Sequence, residues 1–155
     1  MNKYMEIAIA EAKKAKELGE VPVGAAVFKG DTLICSAHNL TEKTKDATAH
    51  AEFLAMSMAS EILGEKYLTD LSLYVTLEPC AMCAGAAHLY KIGRIYFGAY
   101  DYKNGAFGGK TDLIREGLFD FKPEVYGGID ETECEKILKE FFENLRKGKD
   151  CEKQR

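Results

Sequence analysis

The chain has 155 residues, 46% of them hydrophobic, a formal net charge of −4 and five cysteines. These values fit one domain with a full core, and no apolar run reaches the ~20 residues that a membrane-spanning helix needs. No apolar leader follows the N-terminus, so the cysteines point to a reducing compartment, the cytoplasm, and to metal chemistry rather than disulfides. The acidic balance argues mildly against nucleic-acid binding but leaves room for a local basic patch.

Tyr4, Ile7, Ala8, Ala12, Ala15 and Leu18 recur at helical spacing and predict an amphipathic helix stopped by Gly19. Two short apolar runs, 21–28 and 33–37, flank a Lys29-Gly30-Asp31-Thr32 turn and predict a hairpin, with Pro22 at the start of its first strand. Residues 40–48 are polar and predict a loop. Thr48 suits the cap of the next helix, which places His50 in its first turn. Phe53, Leu54, Met56, Met58 and Ile62 surround that helix with apolar contacts and predict deep burial, with Gly64 as its end. A strand over 71–77, a helix from Pro79 to about Tyr90 and a strand over 94–99 predict a parallel pair with a right-handed crossover. Both site helices are expected to begin just after strands, where ligands of open α/β sheets bind. Asp101 to Gly109 reads as a functional loop. Residues 111–116 suggest a short helix, Val125-Tyr126 a weak last strand, and Ile137, Leu138, Phe141, Phe142 and Leu145 the stripe of a closing helix. The domain is expected to span 1–146, and the charged tail, 147–155, is expected to fray.

The chemistry centres on two motifs, Thr48-Ala49-His50-Ala51-Glu52 and Leu77-Glu78-Pro79-Cys80-Ala81-Met82-Cys83. Zinc favours thiolate and imidazole ligands, and a catalytic zinc site keeps one position open for water. Cys80 and Cys83, three apart at a helix start, share one face, and the positive helix terminus favours their ionised form. Pro79 suits the first helical position. His50 offers a third ligand. Glu52 lies roughly 200° around the helix from His50 and so reads as an acid/base facing the bound water rather than the metal. A lone C-x-x-C also fits a redox pair or half of a structural finger. No thioredoxin-like pattern or second C-x-x-C accompanies it, and Cys35, Cys134 and Cys151 are isolated.

Four stretches carry a family resemblance: Glu20-Val21-Pro22-Val23-Gly24-Ala25, Ala47-Thr48-Ala49-His50-Ala51-Glu52, Leu73 to Ala86, and Gly98-Ala99-Tyr100-Asp101-Tyr102-Lys103-Asn104-Gly105-Ala106. With these the chain resembles the cytidine deaminase-like superfamily and, within it, the bacterial tRNA-specific adenosine deaminases. The resemblance implies a three-layer α/β/α fold around a mixed sheet of about five strands. It implies one Zn²⁺ per subunit on His50, Cys80 and Cys83, with Glu52 moving protons while water replaces the C6 amine of an adenine. The implied partners are a tRNA anticodon stem-loop, modified at its wobble adenosine, and a second copy of the chain in a homodimer.

Asn39, Asp101, Lys103 and Arg146 are candidate substrate contacts. The backbone N–H groups of Ala51 and Cys80 are expected to face the water and the exocyclic group. Lys147 and Lys149 are candidate phosphate contacts. His38 is expected in a structural or pocket-wall role, and His88 off the metal. Glu78 reads as a buried neighbour with no proton role, Phe141 and Phe142 as mainly core, and Met56, Met58 and Met82 as core packing. The alternative function is deamination of a free base or nucleoside, guanine or cytosine. A non-catalytic RNA-binding relative would lack Glu52, and a structural zinc protein would not need it.

Overall fold

The computed structural model describes residues 1–153, with side chains described through residue 148. The elements run α1 (Lys3–Glu17), β1 (Gly24–Lys29), β2 (Thr32–His38), α2 (Thr41–Thr44), α3 (Ala51–Leu63), β3 (Ser72–Leu77), α4 (Ala81–Tyr90), β4 (Arg94–Ala99), β5 (Glu124–Tyr126) and α5 (Glu131–Lys153). The strands form one sheet in the order β2-β1-β3-β4-β5. β1 is antiparallel to β2 and β3, whereas β3-β4 and β4-β5 are parallel. This is the mixed sheet the sequence predicted.

Strand alternation explains the layers. Ala25, Val27, Leu73, Val75, Ile95 and Phe97 point to one face, where they join Ala55, Met56 and Ala59 of α3 and Ala84 and Ala87 of α4. Ala26, Phe28 and Tyr74 point to the other face, against Met5, Ala8 and Ile9 of α1 and Cys134 and Ile137 of α5. The result is three layers, with both faces of the sheet covered. The alanines let α3 sit low on the sheet. On the opposite face α1 crosses β1 so closely that a Cβ on Gly24 would lie 1.9 Å from the Ala8 carbonyl oxygen.

Several expectations are corrected. Pro22 precedes the first strand, because the Val23 N–H closes a tight turn on the Val21 carbonyl at 2.8 Å. Residues 40–48 are not plain loop. They contain α2, whose first turn is held by the fully buried Glu20, which accepts from the N–H groups of Glu42 (2.8 Å) and Lys43 (2.9 Å). α3 therefore follows a helical turn rather than a strand. Met58 and Ile62 are exposed, since only the stripe Ala51, Glu52, Ala55, Met56 and Ala59 faces inward. Residues 111–116 form turns, not a helix, because the Asp112 carboxylate takes the N–H groups of Ile114 and Arg115. α5 runs past Arg146 and Lys147 to Lys153. Among the described residues, no helix is long and apolar enough to cross a membrane.

Candidate active site

Two helix starts meet at one end of the sheet. β3 ends at Leu77, Glu78 and Pro79 link it to α4, and Cys80, with extended backbone, is the N-cap of that helix. Pro79 thus stands before the cap rather than inside the helix. Cys83 lies in the first turn and is 1% exposed. His50 is the N-cap of α3, not a first-turn residue. Thr48, the expected cap, donates its hydroxyl to Asp46 instead. With extended backbone at both caps, the imidazole and the thiols turn toward one another.

His50 Nδ1 lies 3.7 Å from Cys80 Sγ and 3.6 Å from Cys83 Sγ. The three ligand atoms lie within 4.8 Å of one another. Zinc bonds of about 2.3 Å to sulfur and 2.0–2.1 Å to nitrogen, at tetrahedral angles, separate N from S by about 3.6 Å. The trio therefore fits zinc, and the spacing identifies Nδ1 as the ligating nitrogen.

The local electrostatics separate Cys80 from the other buried thiols. The hydrogen bond from Cys83 lowers the Cys80 thiol to about 4, with His50 adding to the effect. The same contact, then burial, raises Cys83. His50 is raised by its hydrogen bond with Cys80. Unlike Cys80, Cys35 is pushed up to about 11 by burial alone and Cys134 to about 12 chiefly by burial, so both stay protonated at neutral pH. Glu52, 4% exposed in the first turn of α3, is pushed up to about 7 by desolvation. A carboxyl poised there both accepts and gives up a proton near neutrality.

His50, Cys80 and Glu52 line a cleft of about 940 Å³. Asn39 forms part of its wall and is 8% exposed; its Oδ1 accepts the Ala51 N–H at 2.8 Å. That N–H, expected to face the water, is donated within the protein. Asp101 and Lys103 line the cleft, and the Asp101 carboxylate also accepts the N–H groups of Lys103 and Asn104. Arg146 and Lys147 are exposed on α5 and are not among the cleft-lining residues. The side chain of Lys149 lies outside the described residues.

Other expected residues have local partners. His38 Nδ1 sits 3.0 Å from the Asn39 carbonyl oxygen. His88 stacks on Phe119 and holds the Phe121 carbonyl, away from the trio. Phe142, expected mainly as core, is 43% exposed and walls the cleft beside Leu138, while Phe141 is half-buried. Met82 is half-buried at the cleft, leaving only Met56 of the three methionines fully in the core. Residue patterning missed Tyr100, Tyr102 and Asn104 as separate parts of the wall, although they lie in the loop the resemblance marked.

One imidazole and two thiolates leave a four-coordinate metal one position for solvent, the condition for hydrolysis. The class is that of the zinc-dependent deaminases: residues 1–99 match the cytidine and deoxycytidylate deaminase zinc-binding region. A tRNA-specific adenosine deaminase of Bacillus subtilis (strain 168) is 47% identical over 146 residues, covering 94% of this chain and 91% of that protein. One of Aquifex aeolicus (strain VF5) is 42% identical over 144 residues, 92% of this chain and 94% of that one. A solved structure from a study of A-to-I editing by tRNA:A34 deaminases at the wobble position superposes with a TM-score of 0.81 at 41% identity. It covers 87% of this chain and 98% of that one. A guanine deaminase from Nitrosomonas europaea, 23% identical with a TM-score of 0.77 over 89% of this chain and 82% of that one, shares the fold. The chain belongs to the family of tRNA-specific adenosine deaminases.

Proposed function

We propose that the chain converts adenosine to inosine at the wobble position of a tRNA anticodon loop, with Glu52 as its acid/base. The observation that carries this is one buried carboxyl beside a His-Cys-Cys trio, facing a cleft within the size range of small-molecule sites. His50, Cys80 and Cys83 hold zinc, which when bound supplies the Lewis acidity that makes water nucleophilic at neutral pH. Glu52 accepts the proton of the attacking water and delivers it to ring nitrogen N1. After attack at C6, Glu52 takes the proton of the new C6 hydroxyl and passes it to the departing amine, so adenosine and water yield inosine and ammonia. Asn39, Lys103 and the aromatic wall frame a base that has left its stack. Arg146 and Lys147 extend the contact to phosphates.

The test is a synthetic anticodon stem-loop with adenosine at the first anticodon position. The expected product is inosine, read as guanosine on sequencing. Ammonia release from free guanine or cytosine, with the stem-loop untouched, would favour the free-base reading instead.

The same reading makes the chain a cytoplasmic homodimer. Met58 and Ile62 of α3 and Leu89 of α4 are 39%, 59% and 72% exposed on the same helical layer, and a second copy would cover them. Light scattering should return twice the 17.2 kDa chain mass, and the chain mass alone would count against the dimer.

A further inference from the structure

Glu78 is 2% exposed, and no ion pair among the described residues involves it. Its charge is met by backbone instead. Oε1 accepts the Asp101 N–H at 3.0 Å, and Oε2 accepts the N–H groups of Phe107 and Gly109, each at 2.9 Å. Three converging N–H groups form an anion nest, here filled by the chain's own carboxylate. Such charge-assisted bonds are strong and directional, and leaving the buried acceptor without them is costly.

The approach is close enough to restrict the loop sequence. A Cβ on Gly105 would lie 2.4 Å from the Glu78 carboxyl, and one on Gly109 would lie 2.3 Å from Oε1. The loop is also stitched to the neighbours of Glu78. Ala106 N–H donates to the Pro79 carbonyl at 3.0 Å, and Gly105 forms a β-bridge with Cys80. Three consecutive residues, the last a metal ligand, therefore set the position of residues 101–109. Within that loop Tyr102, Lys103 and Asn104 wall the cleft.

We propose that Glu78 is a positioning residue for substrate: its carboxylate fixes loop 101–109 against the Cys80 segment, so that the Tyr102–Asn104 wall stands at a set distance from the metal trio. This rests on the stem-loop deaminase reading above. Glu78→Gln keeps the shape but offers one carbonyl oxygen to three donors and turns an NH₂ toward the loop. For the zinc-loaded enzyme, KM for the stem-loop should rise about tenfold while kcat falls by no more than about threefold. Zinc should remain at one per chain. Amide exchange by NMR should accelerate about tenfold at Asp101, Phe107 and Gly109, with core amides unchanged. Glu78→Asp, which keeps the charge but draws the carboxylate back from the three N–H groups by one methylene, should give the same split and decides the matter if Glu78→Gln does not fold. Unchanged loop exchange, faster exchange with unchanged KM, or lost zinc would each overturn the proposal. A wild-type enzyme inactive on the stem-loop would instead count against the functional reading, and loop exchange would still decide whether Glu78 anchors the wall.

Discussion

Glu52→Gln is expected to retain one zinc per chain and to lose deamination by a factor on the order of 10²–10⁴ in kcat, the usual weight of a positioned acid/base. Glutamine keeps the volume of a side chain that is 4% exposed, so folding should survive. It cannot take a proton from water or return one to the amine. The ligand atoms are His50 Nδ1 and the two sulfurs, so metal content should not change. Metal analysis and single-turnover kinetics on the same preparation separate the two effects. Wild-type turnover in this variant would remove Glu52 from the mechanism and return the site to a structural metal.

Cys83→Ala should have an effect as large on turnover and, unlike Glu52→Gln, lose the metal with it. Cys83 is 1% exposed, and its loss leaves two protein donors where a zinc site of this kind uses three. Chelation of the wild type should reproduce the loss, and added zinc should restore activity. Because a metal that binds only the folded chain stabilises it by about 4 kcal/mol at a thousand times Kd, and each kcal/mol moves Tm by roughly 2–4 °C at this size, chelation should lower Tm by roughly 8–16 °C. Full activity in zinc-free protein would sink the zinc reading.

The metal trio was readable in the sequence because zinc imposes its own spacing. The residue types and the close spacing of Cys80 and Cys83 signal the thiol pair, whereas His50 lies 30 positions before Cys80 and is marked by its own H-x-E motif. The strands were readable because buried faces alternate. Glu20 and Glu78 were not recognisable as anchors, since each carboxylate is matched by backbone N–H groups more than twenty positions away, and a backbone donor has no residue signature. The same gap hid α2, whose first turn depends on Glu20. His50 was placed one step too far into its helix because capping preferences favoured Thr48, while the hydroxyl of Thr48 was satisfied by Asp46. Met58, Ile62 and Phe142 were assigned to the interior on polarity alone. Which side of a helix meets the sheet, and which borders a cleft, is decided by packing that composition does not encode.

The proposed catalytic groups and one part of the cleft wall arrive on different stretches of chain. His50, Glu52, Cys80 and Cys83 sit at two helix starts fixed by β3 and its neighbours, whereas Leu138 and Phe142 come in on the terminal helix, far along the chain. Substitutions at Leu138 or Phe142 are expected to change KM for the stem-loop while leaving zinc content unchanged. A scaffold divided in this way can acquire new substrates by drift at its margin.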